Sequence, residues 1–219
     1  MIDQRPYIEW GQRHFEKIRD CVGQPLEVLL FCAELSKQKG NAYFAVQLYL
    51  KAVEKYLRCI ALFRHTLPAA SEQRSERRFA EAQEYPRVFE LIASTLLNLS
   101  AVYLHLENHY AAFSTAMESL SMNRRNPKAF YRLGLAVLGM PIPPTIPDNV
   151  LLAVMYFSEA RALLPDDPSI AQALAQVKLR AVQLRQANPE LFEARLRVIT
   201  EQFPGVLHFC SLKGSFPLI

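Results

Sequence analysis

The chain has 219 residues, 51% of them apolar, which is enough to form the core of one domain or one repeat array. Its formal net charge of +4 is small, and basic residues alternate with acidic ones, so charge alone does not favour nucleic-acid binding. The four cysteines form no CxxC pair and have no histidine cluster near them, which argues against a zinc site or a disulfide framework.

The composition predicts an all-α protein, because Ala and Leu dominate and the strand-type alternation of Val, Ile and Thr is nearly absent. No N-terminal segment has the pattern of a signal peptide, and no apolar run reaches about 18 residues. We therefore expect a protein of the cytoplasm, with the nucleus as an alternative, that does not interact with a membrane.

The first predicted element is a helical extension within residues 1–25. In Arg5–Asp20 the apolar Ile8, Phe15 and Ile18 fall on one side of a helix, and Gly23-Gln24-Pro25 ends it. The run from Leu26 then enters the first helix of a repeat domain that we expect to span residues 26–185.

Within that domain, small and aromatic residues recur at the spacing of paired antiparallel helices. Small residues are needed where two helices cross, and large ones fill the gaps beside them. A first register starting at Ala33 contains Gly40, Tyr43, Ala52, Tyr56 and Cys59. A second register starting at Ala93 contains Ser100, Tyr103, Ala112 and Ala116. A third starting at Pro127 contains Gly134 and, after seven inserted residues, Ala153, Phe157, Ala160 and Pro165.

This pattern resembles the tetratricopeptide repeat, whose period is about 34 residues. The resemblance implies three repeats that form a right-handed helical solenoid.

Two segments depart from this period. The second register begins at Ala93, roughly 26 residues later than one period after Ala33 predicts. We interpret the extra segment, Ile60–Leu91, as a lengthened second helix, a loop near Leu67–Ser71 and a lengthened third helix that Pro86 kinks or interrupts. The other departure is Gly139–Asn149, whose four prolines forbid continuous helix and predict an extended turn within the third repeat.

Two further helices are predicted after the repeats. Asp166-Asp167-Pro168-Ser169 has the pattern of a helix start, and apolar residues then recur at helical spacing to Leu184. This seventh helix of the array would cap the last apolar face, as a solenoid requires. In the C-terminal segment, residues 186–219, Asn188-Pro189-Glu190 starts another helix running to about Phe203, and an irregular apolar tail follows.

Three short segments, each at the start of one repeat, carry a more specific resemblance. They are Lys37–Phe44, Leu96–Tyr103 and Asn126–Arg132. These segments resemble chaperone-binding adaptors, above all the C-terminal repeat domains of large immunophilins and of aryl-hydrocarbon-receptor-interacting-type proteins. In those adaptors five residues form a clamp for two carboxylates, and the matching residues here are Lys37, Asn41, Asn98, Lys128 and Arg132. The resemblance implies binding of the Glu-Glu-Val-Asp tail of the ninety-kilodalton heat-shock chaperone, with the seventy-kilodalton chaperone as a second candidate.

The residue types of the clamp suit this chemistry. A peptide that ends in aspartate offers two carboxylates, which cations neutralise and amide N–H groups bind directionally. Lys37 and Asn41 are four residues apart and share a helix face, as do Lys128 and Arg132. By resemblance, Ala101 and His105 would face an apolar residue of the peptide, and Phe44 lies near the same wall. For Phe44 alone, ordinary packing between repeats is the alternative.

The sequence contains no Gly-rich phosphate loop, HExxH or GxSxG motif, so we expect no enzyme activity, no cofactor and no metal site. Two other functions remain open. One is a scaffold that binds another acidic or internal peptide. The other is nucleic-acid binding through Arg124, Arg125 and Arg180, which the scattered charge does not favour. The sequence does not identify a client protein.

Overall fold

The computed structural model describes residues 24–64, 85–141 and 147–202, and these residues form α-helices and turns with no strand among them. This confirms the all-α prediction. The described helices are α1 (Leu26–Ala45), α2 (Tyr49–Arg64), α3 (Pro86–His105), α4 (His109–Met122), α5 (Pro127–Gly139), α6 (Asp148–Leu163), α7 (Pro168–Ala187) and α8 (Pro189–Gln202).

Side-chain caps begin four of the described helices, and at the start of α8 the Asn188 side chain accepts a hydrogen bond from the backbone N–H of Leu191. The side chain of Asn108 accepts a hydrogen bond from the backbone N–H of Ala111, and those of Asn126 and Asp167 each accept from two backbone N–H groups of the first turn. Pro127 and Pro168 directly follow two of the caps, where a missing N–H costs nothing. The starts of α5 and α7 are thus determined by local sequence, and the start of α7 confirms the predicted capping-helix boundary.

Two glycines allow helices to cross closely. A Cβ atom added to Gly40 would lie 2.6 Å from the Tyr56 ring, so α1 meets α2 at this glycine. A Cβ added to Gly134 would lie 2.4 Å from the Phe157 ring, so α5 meets α6 in the same way. These contacts confirm that the small and aromatic residues of the first and third registers pair as predicted.

The loops α1–α2 and α3–α4 have the same conformation. Gln47 and Glu107 both adopt the left-handed region, with φ of 59° and 55°. One residue later, the backbone N–H of Leu48 donates to the carbonyl of Tyr43, and that of Asn108 to the carbonyl of Tyr103, both at 2.9 Å. Gln47 and Glu107 are as far apart in the sequence as Ala33 and Ala93, where the first two registers start, as the sequence predicts.

The chain divides into two compact units between Val102 and Tyr103. The first unit contains α1, α2 and most of α3, with Tyr56, Phe63 and Leu96 among its fully buried side chains. In the second unit a core cluster joins α6 to α7 and α8 through buried residues that include Phe157, Val177, Ala181, Phe192 and Ile199. The predicted boundaries at residues 25 and 185 remain predictions.

An ion pair also holds α8 against the start of α6. The Arg195 guanidinium binds the Asp148 carboxylate through two nitrogens, with Nε donating to Oδ1 at 2.7 Å and Nη2 donating to Oδ2. The geometry is bidentate, which restricts both distance and angle. The helix predicted after Asn188 is confirmed as α8, which packs against α6 and α7 within the second unit.

The structure corrects the predicted role of Pro86. Pro86 is the first residue of α3, so it starts this helix and does not kink or interrupt it. Helix α2 ends at Arg64, whereas the predicted loop near Leu67–Ser71 lies outside the described residues. The predicted N-terminal helix Arg5–Asp20 and the apolar tail after Phe203 also lie outside them.

The helices on either side of the insertion extend further into it than predicted. Gly139 is still in α5, and α6 already begins at Asp148. Beside these ends, the Asn149 side chain donates from Nδ2 to the Met140 carbonyl at 3.0 Å. Residues 142–146 lie outside the described part of the chain.

Helix α3 is long and apolar enough to cross a bilayer by length and composition, although we expected no such segment. More than half of its apolar stretch is buried inside the protein. Buried positions such as Leu96, Leu99 and Val102 make it a core helix.

Candidate peptide-binding site

In the first unit, side chains of α1 form hydrogen bonds with side chains of α3. Lys37 Nζ donates to Ser94 Oγ at 2.6 Å, and Asn98 Nδ2 donates to Asn41 Oδ1 at 3.0 Å. Both pairs are separated by 57 residues along the chain. A constant separation means that the two helices run parallel, as first helices of successive repeats do. The structure therefore brings together three of the five predicted carboxylate-binding residues.

The carbonyl oxygen of Asn41 already has two donors. Besides the bond from Asn98, it accepts a hydrogen bond from the hydroxyl of Tyr56 at 2.7 Å. A carbonyl oxygen has two lone pairs, so both are used. The side chain of Asn41 is exposed, and its Nδ2 group is the part that can donate to a ligand.

Lys37 is held in a similar way. Ser94 directs its hydroxyl hydrogen at the carbonyl oxygens of Glu90 and Leu91, which leaves its oxygen to accept from the Lys37 ammonium. An ammonium has three donors, and Ser94 uses one of them. Together, Lys37, Asn41 and Asn98 present N–H donors and a positive charge, which suits a carboxylate.

In the second unit, Lys128 and Arg132 are four residues apart on α5. Lys128 is exposed, Arg132 is half-buried, and the buried Ala129 and Leu133 hold the helix in the core. Lys128 lies in the first turn of α5, where unpaired backbone N–H groups give a partial positive charge. This turn therefore also favours an anion, although Asn126 caps some of its N–H groups.

The three predicted groove residues lie on the same two helices, α1 and α3, closer to their C-terminal ends. Phe44 follows Asn41 by three residues on α1, and its ring packs on Tyr49 with the ring centroids 5.8 Å apart. Ala101 and His105 follow Asn98 by three and seven residues on α3, with Ala101 half-buried and His105 exposed. Their contact with a peptide remains a prediction.

Sequence reasoning missed Ser94 and Tyr56. Ser94 occupies the second position of its repeat, where Lys128 stands in the third repeat, and this equivalence was the available signal. Tyr56 was assigned to helix crossing alone, because the pattern requires only an aromatic ring there. Among the described residues, no group of three or more His, Cys, Asp or Glu side chains is placed to hold a metal ion.

The antiparallel pairs α1–α2 and α5–α6 crossing at glycines, the repeated loop and the parallel α1 and α3 define a tetratricopeptide-repeat fold. No protein-family model matches the chain. Among solved structures, it is similar to the C-terminal TPR-containing domain of the Plasmodium falciparum FK506-binding protein PFL2275c. That match has a TM-score of 0.60 and 20% identity over 75% of this chain and 97% of the other. The first TPR domain of human RPAP3 matches with a TM-score of 0.51 and 18% identity, over 72% of this chain and 98% of that domain.

The sequence is 31% identical over 114 residues to mouse "inactive peptidyl-prolyl cis-trans isomerase FKBP6". It is 30% identical over 116 residues to the horse protein of that name. The mouse match covers 52% of this chain but only 31% of the relative, so the chain aligns with about a third of the curated proteins that it matches. The structural neighbours show a tetratricopeptide-repeat fold, and about half of the chain is similar in sequence to part of these FKBP6 proteins.

Proposed function

We propose that this chain is a co-chaperone adaptor that binds the C-terminal Glu-Glu-Val-Asp tail of the ninety-kilodalton heat-shock chaperone, with the seventy-kilodalton chaperone as a second candidate. The observation that carries the proposal is the arrangement of Lys37, Asn41 and Asn98 on the parallel helices α1 and α3. The resemblance to chaperone-binding adaptors selected these residues; Asn98 contacts Asn41, and Lys37, one turn earlier on α1, contacts Ser94 of α3.

The proposed chemistry is charge-assisted hydrogen bonding. Lys37, Asn41 and Asn98 offer N–H donors and one charge, and Lys128 and Arg132 add two cations in the second unit. The assignment of both sets to one peptide rests on the repeat register and the resemblance. Each well-made bond to a charged group is worth about 1.5–3 kcal/mol, so the loss of one would weaken binding roughly 10-fold or more.

We propose a non-catalytic role, since the matched relatives are named as inactive isomerases. The matched part is a minority of those proteins, and the client to which the adaptor links the chaperone is not specified by the site. We propose that the adaptor acts in the cytoplasm, with the nucleus as the alternative.

The test is a fluorescence-anisotropy titration with three labelled peptides. They are a peptide ending in Glu-Glu-Val-Asp, its C-terminally amidated form and a scrambled sequence. We expect tight binding of the free acid alone, weakened by salt. The double variant Lys128→Ala/Arg132→Ala should abolish it. Arg180→Ala, which removes an exposed cation from α7, is the matched control and should bind like the wild type.

Equal binding of the amidated peptide would refute the carboxylate clamp and favour the internal-peptide scaffold. An unchanged affinity of Lys128→Ala/Arg132→Ala would refute the assignment of those two residues. A loss of binding in Arg180→Ala as large as in the double variant would show that general positive charge, and not the site, is responsible.

A further inference from the structure

We propose that the hydroxyl of Tyr56 is a specificity-determining positioning group that makes the first-unit site select a free carboxylate over an amide. This inference deepens the proposed function and rests on it. Tyr56 does not touch the peptide in this scheme, because it acts through Asn41.

The position of the hydroxyl is fixed by packing. Tyr56 comes from α2 and is 1% exposed, and its ring fills the crossing at Gly40. Behind it, Cys59 and Phe63 of the same helix are also fully buried. A ring held in this way cannot follow a moving partner, so the bond of 2.7 Å from its hydroxyl to Asn41 Oδ1 determines where that oxygen lies.

The bond also determines which end of the Asn41 amide faces a ligand. A terminal amide can turn over about its last side-chain bond and exchange its oxygen for its NH₂ group. The Tyr56 hydroxyl and Asn98 Nδ2 both bind the oxygen, so this rotation would lose the bond from Asn98, bring two NH₂ groups together and force the Tyr56 hydroxyl to change from donor to acceptor. Asn41 is therefore fixed with its NH₂ group outward.

Because the site then presents only hydrogen-bond donors, it discriminates between a free carboxylate and a C-terminal amide. A carboxylate only accepts hydrogen bonds, which matches the donors of Asn41, Asn98 and Lys37. A C-terminal amide brings N–H donors of its own and loses the charge, and with the Asn41 oxygen occupied it finds no acceptor in this set. Without the Tyr56 hydroxyl, the Asn41 oxygen would have a lone pair for an amide N–H, and a rotated Asn41 would repel a carboxylate.

The test compares Tyr56→Phe with Tyr156→Phe. Both tyrosines are buried and lie on the second helix of a helix pair, and phenylalanine keeps each ring. Tyr156 packs edge-on against Phe113 in a core cluster of the second unit and has no role in the proposed binding. We expect Tyr56→Phe to weaken binding of the free acid about 3- to 10-fold while changing that of the amidated peptide less than about 2-fold. Tyr156→Phe should change neither.

A second measurement needs no peptide. The side-chain amide signals of Asn41 and Asn98 in a ¹⁵N–¹H NMR spectrum should shift in Tyr56→Phe and stay in place in Tyr156→Phe. Unchanged Asn41 signals in Tyr56→Phe would overturn the inference, as would an equal loss of affinity for both peptides or no loss for either. If the wild type does not prefer the free acid, the proposed function and the selectivity inferred for Tyr56 both fail. If the wild type does prefer it and Tyr56→Phe keeps the same preference, only the inference fails.

Discussion

The close crossing of α5 and α6 at Gly134 predicts how replacement of this glycine by alanine changes the free energy of unfolding. In a solvated helix, replacing glycine by alanine stabilises by about 0.8–1.0 kcal/mol, because glycine loses more backbone entropy on folding. We expect the opposite for Gly134→Ala. The added Cβ would lie 2.4 Å from Phe157 Cε1 and 2.7 Å from two further ring carbons.

The magnitude follows from the space around the ring. To reach an ordinary contact distance of about 3.5 Å, the Phe157 ring would have to retreat by roughly 1 Å. It is fully buried, with the Tyr131 ring centroid 5.6 Å away and Val177 and Ala181 in the same cluster. Overpacking costs about 1–3 kcal/mol, and a confined ring places the cost in the upper half of that range. After subtraction of the helix gain, Gly134→Ala should destabilise by about 1–2 kcal/mol.

The assay is urea unfolding followed by far-ultraviolet circular dichroism, with the slope of the transition compared between variants. In a Phe157→Leu background, which makes room, the same Gly134→Ala change should cost little or stabilise. A Gly134→Ala protein as stable as the wild type, or an equal cost in the Phe157→Leu background, would refute the reasoning.

Three other predictions concern single side chains. Gln47→Gly and Glu107→Gly should each stabilise by up to about 1 kcal/mol in urea unfolding, since both residues adopt a left-handed conformation that glycine tolerates; a loss of stability would contradict this. Burial raises the pKa of the Glu159 carboxyl above its ordinary 4.5. The protonated carboxyl is therefore favoured in the folded protein, and this stabilisation is fully present below pH 4.5 and is lost as the pH rises through the pKa of the folded state. Glu159→Gln should therefore raise the melting temperature at pH 7 but not at pH 4, and an equal effect at both would exclude the carboxylate as its cause. Burial also raises the pKa of the Cys59 thiol. In a variant with the other three cysteines replaced by serine, Cys59 should therefore react with a disulfide reagent only on unfolding. Rapid reaction of the native protein would contradict its burial.

The parts of the fold that sequence predicted well are those where sterics leave little choice. The crossings at Gly40 and Gly134 require a residue without a side chain opposite an aromatic ring, so the residue spacing of the tetratricopeptide repeat, which the sequence resembles, was enough to locate them. The starts of α5 and α7 follow from a capping side chain and a proline, which act within one turn. Such features need no knowledge of the rest of the chain.

Other features were missed because the same residue type serves two purposes. A proline such as Pro86 either interrupts a helix or begins one, and the chain around it decides which. Gln47 and Glu107 gave no sign of a left-handed turn, since glycine is the usual signal for one. The register selected Asn41 and Asn98, but the bond from Tyr56 depends on where the α1–α2 crossing places the hydroxyl, and no spacing rule contains that information.

The proline-rich insertion is bounded by contacts that do not depend on its length. Asn149 binds the Met140 carbonyl across its base, and Arg195 holds Asp148 at the start of α6. For a loop with fixed ends, each doubling of length adds only about 0.6 kcal/mol of closure entropy. This point of the chain is therefore suited to protein engineering, as a place where a foreign epitope or a fluorescent reporter can be inserted while α5 and α6 stay paired.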